Sequence, residues 1–214
     1  MFEDRADAGK QLGKALKTCD IKKPLVLGIP RGGVEVAYHV AKVLSASLSI
    51  IIVRKLPFPD NPEAGFGAVA EDGTVYMAPG SSRWFPQSTV DRIIREQKRE
   101  VRHRINTLRN GKPLPDLRGR EVILVDDGIA MGSTTTAASM CCRTQNSSRI
   151  LAATPAASPR AVENLQTVAD RVIALFAPPG FRAVAEFYRN WYDVSDEEAL
   201  GIIEQARQDR LIED

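Results

Sequence analysis

Short apolar runs alternate with amphipathic stretches along this chain. The apolar runs cover residues 24–29, 48–53, 121–125, 150–154 and 172–176. Between them, hydrophobic positions recur every three or four residues, which is the spacing of amphipathic helices. A run that is apolar throughout suits a strand buried on both faces. The alternation therefore predicts an α/β fold with a parallel-stranded central sheet flanked by helices.

Hydroxyl side chains mark where several of the helices should begin. Ser158 stands directly before a proline, the usual order of an N-cap and a first helical residue. Ser195, with a glutamate three residues later, forms a capping box for a helix over about 196–210. Ser88 approximates a second capping box, at the start of a long charged helix predicted over 88–109. Two further helices are predicted over 4–18 and 34–44.

Composition narrows the class of protein. The 214 residues fit one domain, and the net charge of +2 gives no general signal for binding a polyanion. No stretch is long and apolar enough for a membrane span, and the charged N-terminal segment lacks the apolar core of a signal peptide. We therefore expect a single domain over 1–214 and a cytoplasmic location. Cys19, Cys141 and Cys142 have no disulfide-framework or zinc-site spacing.

The segment "VILVDDGIAMGSTTTAA" (122–138) carries the strongest chemical signal. Asp126 and Asp127 follow an apolar strand, at the carboxyl end where parallel sheets bind ligands. The next residues form a loop with Gly128 and Gly132 that leads into a helix. Backbone amides and the positive end of the helix dipole gather there, which favours a bound phosphate. The lysine that follows the last glycine of a P-loop is absent.

Two carboxylates beside a phosphate repel it unless they bind another part of the ligand. Ionised carboxylates accept hydrogen bonds, so vicinal hydroxyls are suitable partners. A phosphate next to a cis-diol is the arrangement found in a ribose 5-phosphate. A divalent cation would also ease the repulsion. The residues by themselves thus indicate a sugar-phosphate site, with or without a metal ion.

The same segment resembles the phosphoribosyl pyrophosphate signature of type I phosphoribosyltransferases: a strand, two acids, a short loop, glycine, then Ser or Thr. This resemblance covers roughly residues 24–177. Over nearly its whole length the chain is also similar to a group known only as predicted phosphoribosyltransferases, through "FEDRADAGKQL", "IPRGGVEVA", "VRKLPFPDNPE", "GAVAEDG" and "VSDEEAL". The resemblance implies Mg²⁺-dependent transfer of a 5-phosphoribosyl group from phosphoribosyl pyrophosphate to a nitrogen nucleophile, by a homodimer. It also implies an antiparallel hairpin, and a small hood formed by the N-terminal segment and residues 178–214.

Two further segments match the family. In "LGIPRGGVEVA", Arg31, Gly32 and Gly33 resemble the loop that binds the diphosphate, where one peptide is often cis in the family. Arg54 and Lys55 resemble the start of the mobile catalytic loop, which would continue through "LPFPDNPEAGFG" as a long irregular segment. The two cations would neutralise the departing diphosphate, and closure of the loop would exclude water.

The resemblance assigns a role to each of these residues. Asp126 and Asp127 would orient the ribose diol and hold Mg²⁺ indirectly, through substrate oxygens or water. Together with Arg54 and Lys55 they form the predicted catalytic set. The predicted donor-binding residues are Arg31, Gly32, Gly33, Gly128, Ile129, Ala130, Met131, Gly132, Ser133 and Thr134.

Two positions depart from the family pattern. Met131 replaces a threonine that many relatives carry before the glycine, so a hydroxyl contact to the phosphate is lost and lower affinity is expected. Ala130 replaces an acidic residue of the 6-oxopurine enzymes, which argues against hypoxanthine or guanine as the acceptor. No general base is identified, and Glu63 in the predicted mobile loop is considered for that role.

Other functions stay open at this point. A non-catalytic regulator would bind phosphoribosyl pyrophosphate or a nucleotide and control an RNA or protein partner, and a hydrolase would use the same pockets. The long helix is rich in arginine, but the interspersed glutamates favour a solvated, ion-paired face over an RNA-binding one. One or two aromatic rings near the C-terminus are expected to face the acceptor. The candidates are Phe181, Phe187, Tyr188, Trp191 and Tyr192.

Overall fold

The computed structural model describes residues 1–213, without the side chains of Pro62, Glu63 and Ser82. The side chain of Glu63, considered above as a general base, thus lies outside the described residues. In chain order the elements are α1 (Arg5–Leu16), β1 (Leu25–Gly28), α2 (Gly32–Leu44), β2 (Ser47–Ile50), β3 (Val53–Phe58), β4 (Asn61–Ala70), β5 (Val75–Met77), α3 (Gln87–Arg109), β6 (Glu121–Val125), α4 (Ser133–Thr144), β7 (Arg149–Ala156), α5 (Pro159–Leu165), β8 (Arg171–Phe176) and α6 (Asp196–Gln208).

A five-stranded parallel sheet, in the order β2-β1-β6-β7-β8, forms the centre of the fold. Its inner strands are buried because helices cover both faces. Val26 and Ile123 pack with α1 and α2 on one face, whereas Leu27 and Leu124 pack with α4 and α5 on the other. The predicted fold class is therefore confirmed.

A separate antiparallel sheet, in the order β3-β4-β5, packs against α3 and α4. Its turn at Asp72 and Gly73 confirms the predicted hairpin. Two predictions are wrong here. The run 48–53 divides between β2 and β3, and the segment 56–67 is not an unpaired loop but forms the β3–β4 hairpin. The strand register shifts on both sides of Pro57, and such irregularities allow a proline within a paired strand.

Helix starts follow the capping signals in most places. Asp4 caps α1, Ser158 caps α5, and Ser195 forms the predicted capping box of α6. The capping box predicted at Ser88 is wrong, because α3 begins one residue earlier, directly after Pro86, and has no side-chain cap. Within residues 1–213, none of the helices combines the length and the apolar character that crossing a bilayer would require.

Within the predicted hood of the N-terminal segment and residues 178–214, residues 178–194 connect β8 to α6 and pack on the N-terminus; only this connecting segment is called the hood from here on. Phe2 is fully buried against Tyr188, and its backbone N–H donates to Phe187 O at 2.7 Å. The hood also contacts the loop after β6, where Val184 packs directly onto Gly128. The N-terminal segment and the hood therefore form one layer over the carboxyl ends of the strands.

Candidate active site

The acid pair lies where two glycine loops meet. Asp126 and Asp127 follow β6, and its last residue is paired in register with Gly28 at the end of β1. A Cβ atom on Gly33 would stand 3.0 Å from Asp126 Cα, and one on Gly32 would overlap the Asp127 carboxylate. The loop after β1 thus packs against the two acids so closely that side chains at its glycines are excluded.

The loop after β6 forms an amide-lined cup. Gly132 has a φ of 81° and stands at the N-cap of α4, whose first turn has no side-chain cap. The neighbouring loop holds the cup in place: Ile129 N donates to Ala156 O at 2.8 Å, and Ser158 Oγ donates to Ala130 O at 2.6 Å. Uncapped amides at a helix N-terminus are an anion-binding arrangement, and here their position is braced from β7.

The cup opens into a cavity of about 550 Å³. All seven residues of 128–134 contribute to its wall, as does Lys55 from β3. Phe58 and Trp84 add an apolar side, and Arg160 adds a cation. Of the predicted site residues, the cup and Lys55 therefore share one cavity, whereas the acid pair lies next to it rather than in its wall.

The two acids differ in their surroundings. Asp126 accepts a hydrogen bond from Asp127 N at 3.0 Å. Its burial, followed by the neighbouring charge of Asp127, raises the pKa of Asp126 well above its usual range. Asp127 instead forms an ion pair with Arg5, at 2.8 Å between Oδ2 and Nε. A proton is thus held more readily at Asp126 than at an ordinary aspartate, while the side chain of Asp127 is fixed by its ion pair with Arg5.

Arg5 is a site residue that the sequence interpretation did not single out. Its side chain is only 3% exposed although it stands in the first turn of α1. The sequence does carry a signal that Arg5 is buried, because its position falls in the apolar stripe of that helix with Ala8, Leu12 and Leu16. A charged residue in an apolar stripe needs a partner, since an unpaired buried charge is costly.

Three guanidiniums lie around the loop after β1. Asp196 Oδ1 stands 3.6 Å from Arg31 and 3.9 Å from Arg104. Burial, and next the charge of Arg104, lowers the pKa of Arg54, so the third guanidinium lies within electrostatic reach of the others. Arg54 donates to Gln97 Oε1 at 3.4 Å and is not part of the cavity wall that Lys55 lines. The peptide between residues 30 and 31 is cis.

The arginines of α3 are not all solvated, contrary to the sequence interpretation. Arg104 and Arg109 are buried. Arg109 donates to Glu71 Oε1 at 2.6 Å and to Ile50 O at 3.0 Å, so it joins the antiparallel sheet to β2. Arg109 can be buried because Glu71 in the β4–β5 hairpin and Ile50 in β2 accept its hydrogen bonds.

A smaller chamber of about 310 Å³ adjoins the cavity at the loop tip, residues 130–131. Phe181 of the hood and Tyr76 of β5 contribute aromatic rings to its wall, and Arg160 and Arg182 contribute cations. Its lining among the described residues contains no acid. The chamber therefore combines flat apolar surfaces with positive charge.

The hood places few of its aromatic rings at these cavities. Phe181 lines the chamber, and Val184 closes the space above Gly128. The other rings are held in packing or hydrogen bonds within the hood, with Arg5, or with the backbone of the acid pair: Phe187, Tyr188, Trp191 and Tyr192.

A metal ion would need ligands from the substrate. The described part of the chain holds no group of three or more His, Cys, Asp or Glu side chains suited to a metal. Asp126 is only partly exposed and Asp127 is already paired with Arg5. The residues present therefore suit Mg²⁺ only if phosphate, hydroxyl or water oxygens complete its shell, since Mg²⁺ prefers six oxygens.

Comparison with known proteins agrees with this geometry. The sequence pattern of the phosphoribosyl transferase domain matches residues 5–178. The chain belongs to the phosphoribosyltransferase family. The phosphoribosyltransferase match spans Arg5, both glycine loops and the acid pair.

Relatives extend the match over nearly the whole chain. Two Mycobacterium tuberculosis proteins, "Putative phosphoribosyl transferase MT0597" of strain CDC 1551 and "Putative phosphoribosyl transferase Rv0571c" of strain H37Rv, are 38% identical over 211 residues. The alignment covers 98% of this chain but 48% of theirs, so the chain spans about half the length of these relatives. The crystal structure of TT1426 from Thermus thermophilus matches with a TM-score of 0.81 and 39% identity, over 95% of this chain and 98% of that one.

Proposed function

We propose that this phosphoribosyltransferase domain transfers a 5-phosphoribosyl group from phosphoribosyl pyrophosphate to a nitrogen nucleophile, with release of pyrophosphate. One observation carries the proposal. An amide-lined cup at the end of β6 opens into a cavity of about 550 Å³, and the acid pair beside it touches a second glycine loop. The arrangement offers separate places for an ester phosphate, a diol and a second anion.

The cup would hold the 5-phosphate through backbone amides. Ser133 and Thr134 line the cavity and add hydroxyl groups at the start of α4. Asp127 would accept hydrogen bonds from the ribose hydroxyls, and Asp126 beside it would contribute either a carboxylate or a protonated group. Both phosphate and sugar are thereby oriented by groups fixed in the fold, which favours reaction by proximity.

Cations on the β1 side would stabilise the leaving group. As the bond between the anomeric carbon and the diphosphate breaks, both electrons leave with the diphosphate. Arg31 and Arg54 are fixed positive groups on that side, Lys55 adds a cation from the wall of the cup's cavity, and such groups act best where charge develops. Mg²⁺ bound with the substrate would add positive charge to the same oxygens. The nitrogen lone pair of the acceptor then forms the new bond to carbon, and the nitrogen loses its proton.

The acceptor would enter through the chamber next to the cup. Phe181 and Tyr76 offer faces on which a planar ring packs. Arg160 and Arg182 favour an acceptor that carries a carboxylate, because the described lining holds no acid to oppose it. We therefore propose a planar, nitrogen-containing acceptor with a negative substituent.

A release assay tests the function. Pyrophosphate release from phosphoribosyl pyrophosphate is measured with aromatic acids that contain a ring or amino nitrogen, with neutral nucleobases, with aliphatic amines, and with water alone. Each is run with Mg²⁺ and with chelator. Release that requires one aromatic acid is expected, and the Asp126→Asn/Asp127→Asn variant should lose about 10²–10³ of the rate.

The other outcomes overturn distinct parts of the proposal. Equal release with water alone would mean a hydrolase, and binding without release would mean a non-catalytic sensor. Preference for a neutral base would overturn the acceptor class. Arg182→Gln separates the roles of the chamber: a raised KM for the acceptor is expected, whereas a raised KM for phosphoribosyl pyrophosphate would assign that cation to the phosphate.

A further inference from the structure

The buried guanidinium of Arg5 joins three parts of the molecule that are far apart in sequence. Its Nε donates to Asp127 Oδ2 at 2.8 Å, and its Nη2 donates to Tyr192 O at 2.9 Å. The plane lies over the ring of Trp191, 4.1 Å from the ring centre. One side chain of α1 is therefore fixed by the acid at the end of β6 and by the hood.

The Arg5–Asp127 pair also forms the surface on which the β1 loop rests. A Cβ atom on Gly32 would overlap the Asp127 carboxylate and stand 2.9 Å from Arg5 Nε. Tyr188 adds a second hood contact, because its hydroxyl donates to Asp127 O at 2.6 Å. Backbone and side chain of Asp127 are thus both held from above, by groups that lie outside the parallel sheet.

The hydrogen-bonding capacity of Arg5 is not filled. Its Nη1 is buried and has no partner among the described residues. Arginine does not lose its proton in proteins, so this donor stays charged and unpaired in the absence of another acceptor. An unmatched buried donor is costly, and such costs concentrate at functional sites.

From these contacts we infer that Arg5 is the positioning residue of Asp127, holding its carboxylate in the orientation that receives the ribose hydroxyls and making that orientation depend on the docked hood. The inference rests on the proposed function and deepens it. One oxygen of Asp127 is taken by Arg5, which leaves the other for the substrate. Because the same guanidinium binds the hood, the acid is oriented only when the hood is in place.

A double-mutant cycle distinguishes positioning from simple stabilisation. Arg5→Gln, Asp127→Asn and the double variant are compared for ribose 5-phosphate binding by calorimetry and for kcat and KM of phosphoribosyl pyrophosphate. Arg5→Gln is expected to lower affinity and kcat/KM by about 10–100-fold, the range seen when a residue that orients a metal ligand is replaced. The double variant should be no worse than Asp127→Asn alone, because Arg5 acts through Asp127.

The matched control is Arg189→Gln. Arg189 also links the hood to the N-terminal segment, through an exposed ion pair with Glu3 at 3.3 Å, but it does not touch Asp127. It should leave binding and turnover unchanged. Arg5→Lys keeps the charge but not the two-point geometry, and we expect an intermediate effect. If Arg5→Gln fails to fold, the comparison of Arg5→Lys with Arg189→Gln decides the question.

Each result has a defined meaning. The inference would be overturned if the losses of Arg5→Gln and Asp127→Asn multiply in the double variant. Wild-type values for both Arg5 variants would overturn it as well. Wild-type protein that binds ribose 5-phosphate but transfers no phosphoribosyl group from phosphoribosyl pyrophosphate would overturn the proposed function alone, since the binding cycle still tests Arg5. Wild-type protein that binds neither compound would overturn both.

Discussion

The loops that follow β1 and β6 have the same local design but different surroundings. Each follows a buried strand and leads into a helix, and the two strands are neighbours in register. The β6 loop presents amides to an open cavity. The β1 loop is surrounded instead by charged side chains from three other elements. These are Arg54 of β3, Arg104 of α3 and Asp196 of α6, close to its own Arg31.

This difference matches what each half of the proposed donor needs. An ester phosphate keeps its charge throughout the reaction, so neutral amides held in place are sufficient to bind it. A departing diphosphate gains charge, and fixed cations stabilise that gain best. On the proposed function, two loops of the same strand–loop–helix design would therefore serve different roles, because other parts of the chain surround them differently.

The largest expected effect on stability and binding comes from substituting a glycine of the β1 loop. Gly32→Ala should place a Cβ atom against the Asp127 carboxylate and destabilise the fold by about 1–3 kcal/mol, the usual cost of overpacking. Binding of phosphoribosyl pyrophosphate should be lost with it. Urea unfolding and calorimetry measure the two quantities.

Gly132→Ala should act through the backbone instead. Its Cβ atom meets nothing closer than 3.5 Å, so the cost is that of a left-handed conformation, about 1–2 kcal/mol. Gly80 has the same φ of 81° with open space around it, and Gly80→Ala is the matched control for strain. If Gly132→Ala and Gly80→Ala bind phosphate ligands equally well, the cup assignment is wrong.

A second experiment tests the charged surroundings of the β1 loop. Arg104→Gln should weaken pyrophosphate binding by about 1.5–3 kcal/mol, or roughly 10–100-fold, which is the range for hydrogen bonds to charged groups. Ribose 5-phosphate binding should not change, because Arg104 is not among the residues that line the cavity of the cup. Calorimetric titration with each ligand in turn gives both values.

Arg92→Gln is the control for the Arg104 experiment. Arg92 lies on the same helix and pairs with Glu96 at 2.9 Å, but it is exposed. Its loss should leave both titrations as in the wild type, since exposed pairs contribute little. Equal losses for the two ligands in Arg104→Gln would contradict the separation of the loops.

A gain in phosphate affinity is expected from one substitution in the cup. Met131 lines the cavity yet is 65% exposed, so replacing it should disturb little packing. Met131→Thr would add a hydroxyl donor to the phosphate, worth about 0.5–1.5 kcal/mol, or roughly 2–10-fold in affinity. Ribose 5-phosphate titration measures it, with Met131→Val as the control of similar shape. Equal affinity in both variants would show that the hydroxyl does not reach the phosphate.

The smallest effect concerns pH and the helix of the β1 loop. Burial lowers the pKa of His39 on α2 to about 4, from a usual value of 6.5. The folded state thus disfavours the protonated form, so its stability should be full above pH 6.5 and fall as the pH drops from 6.5 towards 4. His39→Gln should lose less stability over that range. The check is urea unfolding of both proteins at pH 7 and pH 4.5. An equal loss of unfolding free energy in the wild type and in His39→Gln would refute the prediction.

Much of the site was predictable because its signals are local. A strand followed by two acids, glycines and hydroxyls specifies a cup at one sheet edge, and the neighbouring loop follows from the same pattern. The split of residues 48–53 between two sheets was not predictable, since an apolar run does not show where it will pair. Composition alone also suggested a loop at 56–67, although strand pairing gives those backbone groups their partners.

The sequence by itself determined the order of the elements and the residues at the ends of the strands, because helix spacing, apolar runs and capping residues act over a few positions. Only the tertiary structure decided which charges meet there. Arg5 reaches Asp127 across 122 positions of the chain, and Arg104 comes to Asp196 from a different helix. Such pairs depend on how distant surfaces pack, and a charge carries no local mark of the partner that burial will bring to it.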